Sequence, residues 1–370
     1  MHGIAARRLF AIAFGAALIA NAAGAYAGGP KAKFAYVASC GNDTVVQFKV
    51  GHKGLLKPNS PATVGAGACP VALATVTLAG KRFLYAANEN GDTVSQYQIA
   101  ANGTLSPLTP PAIDLSSVAS GAAYITADPK GAFVYVTDFD KQVVQLKVNA
   151  DGTLVTNTPA TVTASGSSTD VPVADPQGRF LYVTEFGHNT VLQYKIGSDG
   201  TLTPNTPASI DSGGNPRNLA ITASGKFVYV PNLDDASISE YKMNPDGTLA
   251  QNSPATLNLP PTAKPLQVVV NTKGTFAYVT DEKFEVVYQL KINPDGTLAM
   301  NSPSSVPIAT EADLMTLDGG GKFAYVGDGG SLLYQFKVNR NGTLTPIPNK
   351  SNSIGAGMSN AQILLVPGGR

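Results

Sequence analysis

The residues best suited to chemistry are few. Glu185 and His188 share one polar segment, Glu185-Phe-Gly-His188, and Arg217 opens a later apolar run. A carboxylate and an imidazole exchange protons, and a guanidinium stabilises a developing oxyanion. Brought together, the three would bind or polarise an anionic or carbonyl substrate, and they form the candidate catalytic set. A wider group of polar residues stands at or beside the ends of comparable apolar runs: Asn88, Glu89, Asp138, Asn218, Asn232, Asp281 and Asp328. These are candidate ligand-binding residues, although the same residue types also cap loops and hold turns. His/Cys metal spacing, a Gly-rich phosphate loop, a Gly-x-Ser-x-Gly elbow and an EF-type calcium loop are all absent, so neither metal nor cofactor is expected.

The elements that must position these groups come from an internal repeat. Phe-x-Tyr recurs at Phe34-Tyr36, Phe83-Tyr85, Phe133-Tyr135, Phe180-Tyr182, Phe227-Tyr229, Phe276-Tyr278 and Phe323-Tyr325. A second landmark, Asp/Asn-Gly-Thr-Leu, starts at Asn102, Asp151, Asp199, Asp246, Asp295 and Asn341, with Lys53-Gly-Leu-Leu56 as a degenerate seventh copy. The period is about 48 residues, as in propeller blades. Each unit contains four strand-like runs. In the fifth these are Arg217 to Ile221, Lys226 to Val230, Ser237 to Met243 and Ala255 to Leu259. The third runs alternate: Val191, Gln193 and Lys195 share one face, and Leu192, Tyr194 and Ile196 the other, the period of a partly exposed strand. The first and second runs are more continuously apolar, which suits strands buried between neighbours. Gly and Pro interrupt every unit, which excludes a helical repeat.

The expected fold is therefore all-β, a seven-bladed β-propeller of four-stranded antiparallel blades. The first unit begins at its second strand, and the chain ends in a first-strand-like segment, Asn360-Ala-Gln-Ile-Leu-Leu-Val-Pro-Gly-Gly369. Ala361 to Val366 is expected to pair with Phe34 to Ala38 in one composite blade, removing the exposed edges of an open ring. In that topology the strand two–three connections and the first-strand starts meet at one face, the mouth of the channel. The Asp-Gly-Thr-Leu turns lie on the other, where His52 also falls. Cys40 and Cys69 would sit on the mouth face of adjacent blades and are expected to form a disulfide.

Composition sets further bounds. Apolar residues make up 43% of the chain and charged residues 14%, with Lys+Arg 26 against Asp+Glu 25. This balance gives no electrostatic footprint for nucleic acid or an anionic membrane. Arg7 and Arg8, the apolar run Leu9 to Ala20 and the small-x-small site Ala25-Tyr26-Ala27 read as an export signal over residues 1–27. An Ala-rich core with a good cleavage site favours removal over retention as an anchor. The mature chain, 28–370, is then a monomer in the periplasm or outside the cell, with no membrane span.

The unit Asn215-Pro-Arg-Asn-Leu-Ala-Ile-Thr-Ala-Ser-Gly-Lys-Phe-Val-Tyr-Val-Pro-Asn232, continued by Ser237-Ile-Ser-Glu-Tyr241 and Asp246-Gly-Thr-Leu249, resembles the blade of the seven-bladed lactonase family. That family includes the propeller type of 6-phosphogluconolactonase. The resemblance spans essentially the whole mature chain. In the family the equivalent blade reads Gly-Pro-Arg-His, and its second strand ends in Asn-Glu; the Arg, His and Glu are associated with the lactone site. Arg217 and Asn232 match, whereas Asn218 replaces the His and Leu233 the Glu. Asn88-Glu89 carries the Asn-Glu pair in a different blade. The main expectation is thus an exported propeller that binds a small-molecule or protein ligand at the channel mouth with degenerate family residues. The alternative is a lactone hydrolase working through Glu185 or His188 as base and Arg217 as oxyanion partner.

Overall fold

The computed structural model describes residues 32–138, 142–164, 169–309, 312–328, 332–353 and 363–367. Seven four-stranded antiparallel sheets follow one another along the chain. Blade four shows the plan, from the channel outward: Thr169–Ala174, Phe180–Glu185, Thr190–Ile196 and Leu202–Asp211. Blade one is composite. Its innermost strand is the C-terminal Ile363–Pro367, antiparallel to Ala32–Ser39, with Phe34 opposite Val366 and Val37 opposite Ile363. Ala361 and Gln362, expected in the same strand, lie outside the described residues, as does the export signal expected at 1–27. No helix among the described residues is long and apolar enough to cross a membrane.

The two sequence landmarks are halves of one clasp between blades. Tyr182 of blade four donates its hydroxyl proton to the carbonyl of Gly247, in the Asp-Gly-Thr-Leu turn of blade five, at 2.7 Å. The same bond joins every blade to the next, and Tyr325 of blade seven closes the circle on Gly54 of blade one at 2.6 Å. Gly247 has φ +83°, and a Cβ there would overlap the ring of Phe180. Glycine is therefore required twice over, for its backbone and for the close approach of the aromatic ring. Asp246 locks the turn by accepting from the backbone N–H of Thr248 at 3.0 Å and from its hydroxyl at 2.7 Å.

Two details depart from the sequence reading. The third strands are not half exposed: Val191 to Tyr194 are all buried, because a neighbouring blade covers each face. Their central polar residue is a second inter-blade link. Gln193 donates to the Pro207 carbonyl of its own blade at 3.1 Å and accepts from the Leu249 N–H of the next at 2.6 Å. The fourth strand of blade five also begins earlier, as Leu249–Asn258 rather than at Ala255. Leu249 is held by that glutamine, and a register shift accommodates Pro254 on the outer edge, where no further strand needs its missing N–H.

Blade five breaks the glutamine series with Glu240. Its Oε2 accepts from the Leu298 N–H at 3.2 Å, while Oε1 is buried with no hydrogen-bond partner. Burial pushes its carboxyl up to about 7, opposed by the Leu298 N–H and reinforced by Asp295. The folded state thus holds a proton that the unfolded chain, near 4.5, releases. Stability from this group is present below about 4.5 and lost as pH rises through about 7. Glu240→Gln should restore the missing donor to the Pro254 carbonyl. It should raise stability at pH 8 by about 1 kcal/mol and flatten the decline between pH 5 and 8, as read by denaturant titration. Truncation before Ile363 leaves blade one with an unpaired edge and should abolish soluble folding; a truncated chain with unchanged thermal stability would contradict this closure.

Candidate functional site

In blades two, four, five, six and seven the innermost strand starts at the mouth face with an irregular register. Pro70 pairs with Asn88, Thr169 with Glu185, Pro265 with Asp281 and Ala312 with Asp328, and the ladder slips immediately afterwards. Blade five does the same between the Pro216–Asn232 bridge and Ala220–Tyr229. The residue released at this bulge is Val71, Leu266, Asp170, Arg217 or Asp313 in blades two, six, four, five and seven. Bulges of this kind free a side chain from the ladder and re-aim it.

Asp170 and Arg217 meet across blades four and five. Arg217 Nη1 lies 3.7 Å from Asp170 Oδ2, and the side chains are only 6% and 1% exposed. The guanidinium sits 5.7 Å from the ring centre of Phe186, a partner for its flat face. Its Nε is buried without a hydrogen-bond partner among the described residues. The Tyr124 hydroxyl of blade three belongs to the electrostatic surroundings of the Asp170 carboxyl, whose two oxygens are buried with no hydrogen-bond partner among the described residues. Burial pushes Asp170 up to about 6, with Arg217 and then Tyr124 pulling the other way. Burial, reinforced by Asp170, raises Tyr124 well above its ordinary range, so its hydroxyl stays protonated and can donate. Glu89, half-buried in the connection of blade two, belongs to the same electrostatic neighbourhood, and burial raises its carboxyl too.

The supports are specific. The Thr137 hydroxyl donates to the Asp170 carbonyl at 2.8 Å, and that of Thr169 to the Asp138 carbonyl at 2.9 Å, stitching blade three to blade four beside the pair. The Arg217 N–H donates to the Pro231 carbonyl at 2.9 Å. Cys40 and Cys69 form a disulfide between blades one and two. The Cys69 carbonyl accepts from the Glu89 N–H at 2.9 Å, so this cross-link also anchors the Glu89 turn.

Arg217 stands beside the Glu185–His188 segment through Phe186. Arg217 takes Asp170, not Glu185, as its ionic partner. Glu185 is 1% exposed; its Oε2 accepts from the Thr190 hydroxyl at 3.0 Å and lies 3.9 Å from His188 Nδ1. His188 is 54% exposed at the rim. Most of the wider set holds loops. Asn88 donates to Thr93 and Ser95, and Asn232 to Ser237 and Ser239. Asp138 accepts from the N–H groups of Gln142 and Ser120, Asp281 from those of Lys264, Lys283 and Phe284, and Asp328 from that of Leu332. Asn218 bridges to Gln267 of blade six, whose Oε1 accepts from the Met315 N–H of blade seven, so it belongs to the wall of the channel. Leu233, at the position the family fills with Glu, is packed in the apolar core. Asp170, Tyr124, Phe186 and Asp313 went unread. For Asp170, Tyr124 and Asp313 the signal was a charged or hydroxyl-bearing residue at the start of an otherwise apolar first strand, visible once the strands are aligned on their turns; Phe186, in a strand two–three connection, carried no such signal. No group of three or more His, Cys, Asp and Glu among the described residues has the geometry to hold a metal ion.

An unpaired cation in this wall is costly. Asp170→Ala strands a buried guanidinium and should destabilise by about 3–5 kcal/mol, whereas Asp170→Asn, keeping shape and acceptor, should lose markedly less. Equal losses in the two variants, measured by chemical unfolding, would contradict the pairing.

No curated protein matches the chain. Solved structures do. The Pseudomonas aeruginosa periplasmic gluconolactonase is 19% identical, with TM-score 0.73 over 90% of this chain and 100% of its own. A putative 6-phosphogluconolactonase from Bacteroides uniformis gives 18% identity and TM-score 0.77 over 91% and 100%. One from Bacteroides fragilis gives 17% and 0.74 over 90% and 98%. At these identities the likeness is one of fold. Residues 26–167 and 136–253 match the family described as Lactonase, 7-bladed beta-propeller, and with seven clasped blades closed by its own C-terminal strand this chain belongs to that family.

Proposed function

We propose that this protein is a lactone hydrolase acting at the channel mouth. The observation that carries the reading is the buried Arg217–Asp170 pair, flanked by Tyr124 and Glu89, in a ring of the lactonase family. Arg217 presents N–H donors to the lactone carbonyl oxygen and stabilises the oxyanion that forms when water attacks. Asp170 is a positioning residue: it holds the guanidinium in place against Phe186. Glu89 takes the proton of the attacking water; burial raises its carboxyl, which makes it a stronger base than an ordinary carboxylate. Tyr124 donates to the substrate. The acyl–oxygen bond of the ring then breaks, the departing ring oxygen takes up a proton, and a hydroxy acid leaves.

The names of the structural neighbours, gluconolactonase and putative 6-phosphogluconolactonase, support this reading. The disulfide supports an oxidising compartment, in keeping with the signal-like N-terminus and with the neighbour described as periplasmic. A second reading, a propeller that binds without turnover, is favoured by Asn218 and Leu233 where the family has His and Glu. His188 backed by Glu185 is a second candidate base.

Release of acid from a panel of sugar and simple lactones by the mature chain decides among these. Arg217→Ala should lower kcat by about 10²- to 10³-fold. Glu89→Gln should lower it by about 10²-fold or more, and His188→Ala should change it little. The reverse ranking transfers the base role to the rim pair. In the wild type kcat/KM should fall as pH drops through about 6, as Asp170 gains its proton, and Asp170→Asn should lose that dependence. Absence of turnover from a folded protein would leave the binding reading.

A further inference from the structure

The chain is nearly neutral, with a formal net charge of +1, but its charge is separated between the two faces of the ring. On the mouth face every blade places a carboxylate at the end of strand two or in the connection that follows: Asp43, Glu89, Asp138, Glu185, Asp234, Asp281 and Asp328. Asp114 and Asp211 end fourth strands on that face, and Asp313 is buried at its strand-one start. The Lys and Arg of the described connections and strand-one starts are Arg217, Lys264 and Lys283, and each is answered. Arg217 faces Asp170 at 3.7 Å, Lys264 Nζ lies 2.9 Å from Asp234, and Lys283 stands beside Asp281, whose carboxyl burial raises against the pull of backbone N–H groups and of Lys283. The opposite face carries the compensating charge: it holds the turn aspartates Asp151, Asp199, Asp246 and Asp295, but a larger number of lysines and arginines. Lys49, Lys147, Lys195, Lys242, Lys291 and Lys337 occupy one equivalent position near the end of strand three, each opposite the Phe of Phe-x-Tyr.

From this polarity we infer that the substrate is an uncharged lactone and that the mouth discriminates against phosphorylated ones; the inference rests on the hydrolase reading. Arg217 keeps its N–H donors for a neutral carbonyl, but buried Asp170 cancels its charge, leaving no net cation to hold a phosphate dianion. A face of one sign around a low-dielectric channel produces potentials that change encounter rates by about 10- to 10³-fold. The same field assists turnover. Water adds to the carbonyl carbon, the acyl–oxygen bond breaks, the ring oxygen is protonated, and the new carboxylic acid ionises by losing a proton to solvent. A neutral molecule enters and an anion leaves, so the acidic mouth repels the product and not the substrate.

The test compares glucono-lactone with its 6-phosphate on the purified mature protein at low and high salt. Expected is a kcat/KM at least about tenfold higher for the neutral lactone at low salt, with the gap narrowing as salt screens the face. Glu285→Lys combined with Asp211→Lys, both exposed and outside the proposed machinery, should raise kcat/KM for the phosphorylated lactone several-fold. The neutral one should stay within about twofold. Equal or better turnover of the phosphorylated lactone, or a gap indifferent to salt and to these substitutions, overturns the inference and leaves the hydrolase reading standing. Turnover of neither lactone, nor of any other in the panel, by a folded protein overturns both.

Discussion

The structure depends on one contact made seven times: a phenylalanine ring and a tyrosine hydroxyl from the second strand of one blade, closing on the glycine of the next blade's turn. The hydroxyl–carbonyl bond fixes the orientation, and the ring fills the volume that a Cβ would occupy. Each blade presents the aromatic half to one neighbour and the glycine half to the other. Such a head-to-tail interface propagates until its rotation closes, and here it closes when Tyr325 finds Gly54. The glutamine bonds between third and fourth strands repeat the logic farther out. Since every clasp has two blades as its substrate, a missing innermost strand in blade one would weaken the contacts on both of its sides. That is why the C-terminal segment returns to complete it.

These clasps occupy the face away from the channel mouth and the flanks of the blades. The mouth face is free of them, and its connections are shaped one at a time by local side-chain hydrogen bonds, such as those of Asn88, Asn232 and Asp281. The fold therefore separates duties by position. Residues that repeat hold the ring, and residues that do not repeat are free to specialise on a scaffold whose geometry is set elsewhere.

This separation explains what could be read in the sequence. Phe-x-Tyr and Asp-Gly-Thr-Leu were legible because each acts through local spacing, and so were the composite blade and the Cys40–Cys69 bridge, which follow from counting strands. That the two motifs touch was not legible, because they meet between one unit and the next, and a sequence shows only their separation. Arg217 was legible as a polar residue opening an apolar strand. Its partner was not: Asp170 stands in a different blade, and the bulge that frees both side chains is a property of the ladder. Glu185 and His188 drew attention by their proximity in sequence, yet one strand places Glu185 within the sheet and its loop places His188 at the rim.

The bulge position shows why departures from the repeat matter more than the repeat itself. Val71, Ala123 and Leu266 occupy it in blades two, three and six, an ordinary choice for a strand closed in by neighbours on both sides. Asp170, Arg217 and Asp313 occupy it in blades four, five and seven, where burying charge opposes folding. Such residues persist only if the surrounding contacts over-determine the backbone, as the clasps and the Thr137 and Thr169 bonds do around Asp170. Glu240 breaks another repeating position but lies among the inter-blade bonds, away from the mouth, and its effect falls on stability. Arg217 and Asp170 break theirs at the channel mouth, beside Tyr124 and Glu89, so the same kind of departure there bears on chemistry. Location on the ring, more than residue type, separates the two.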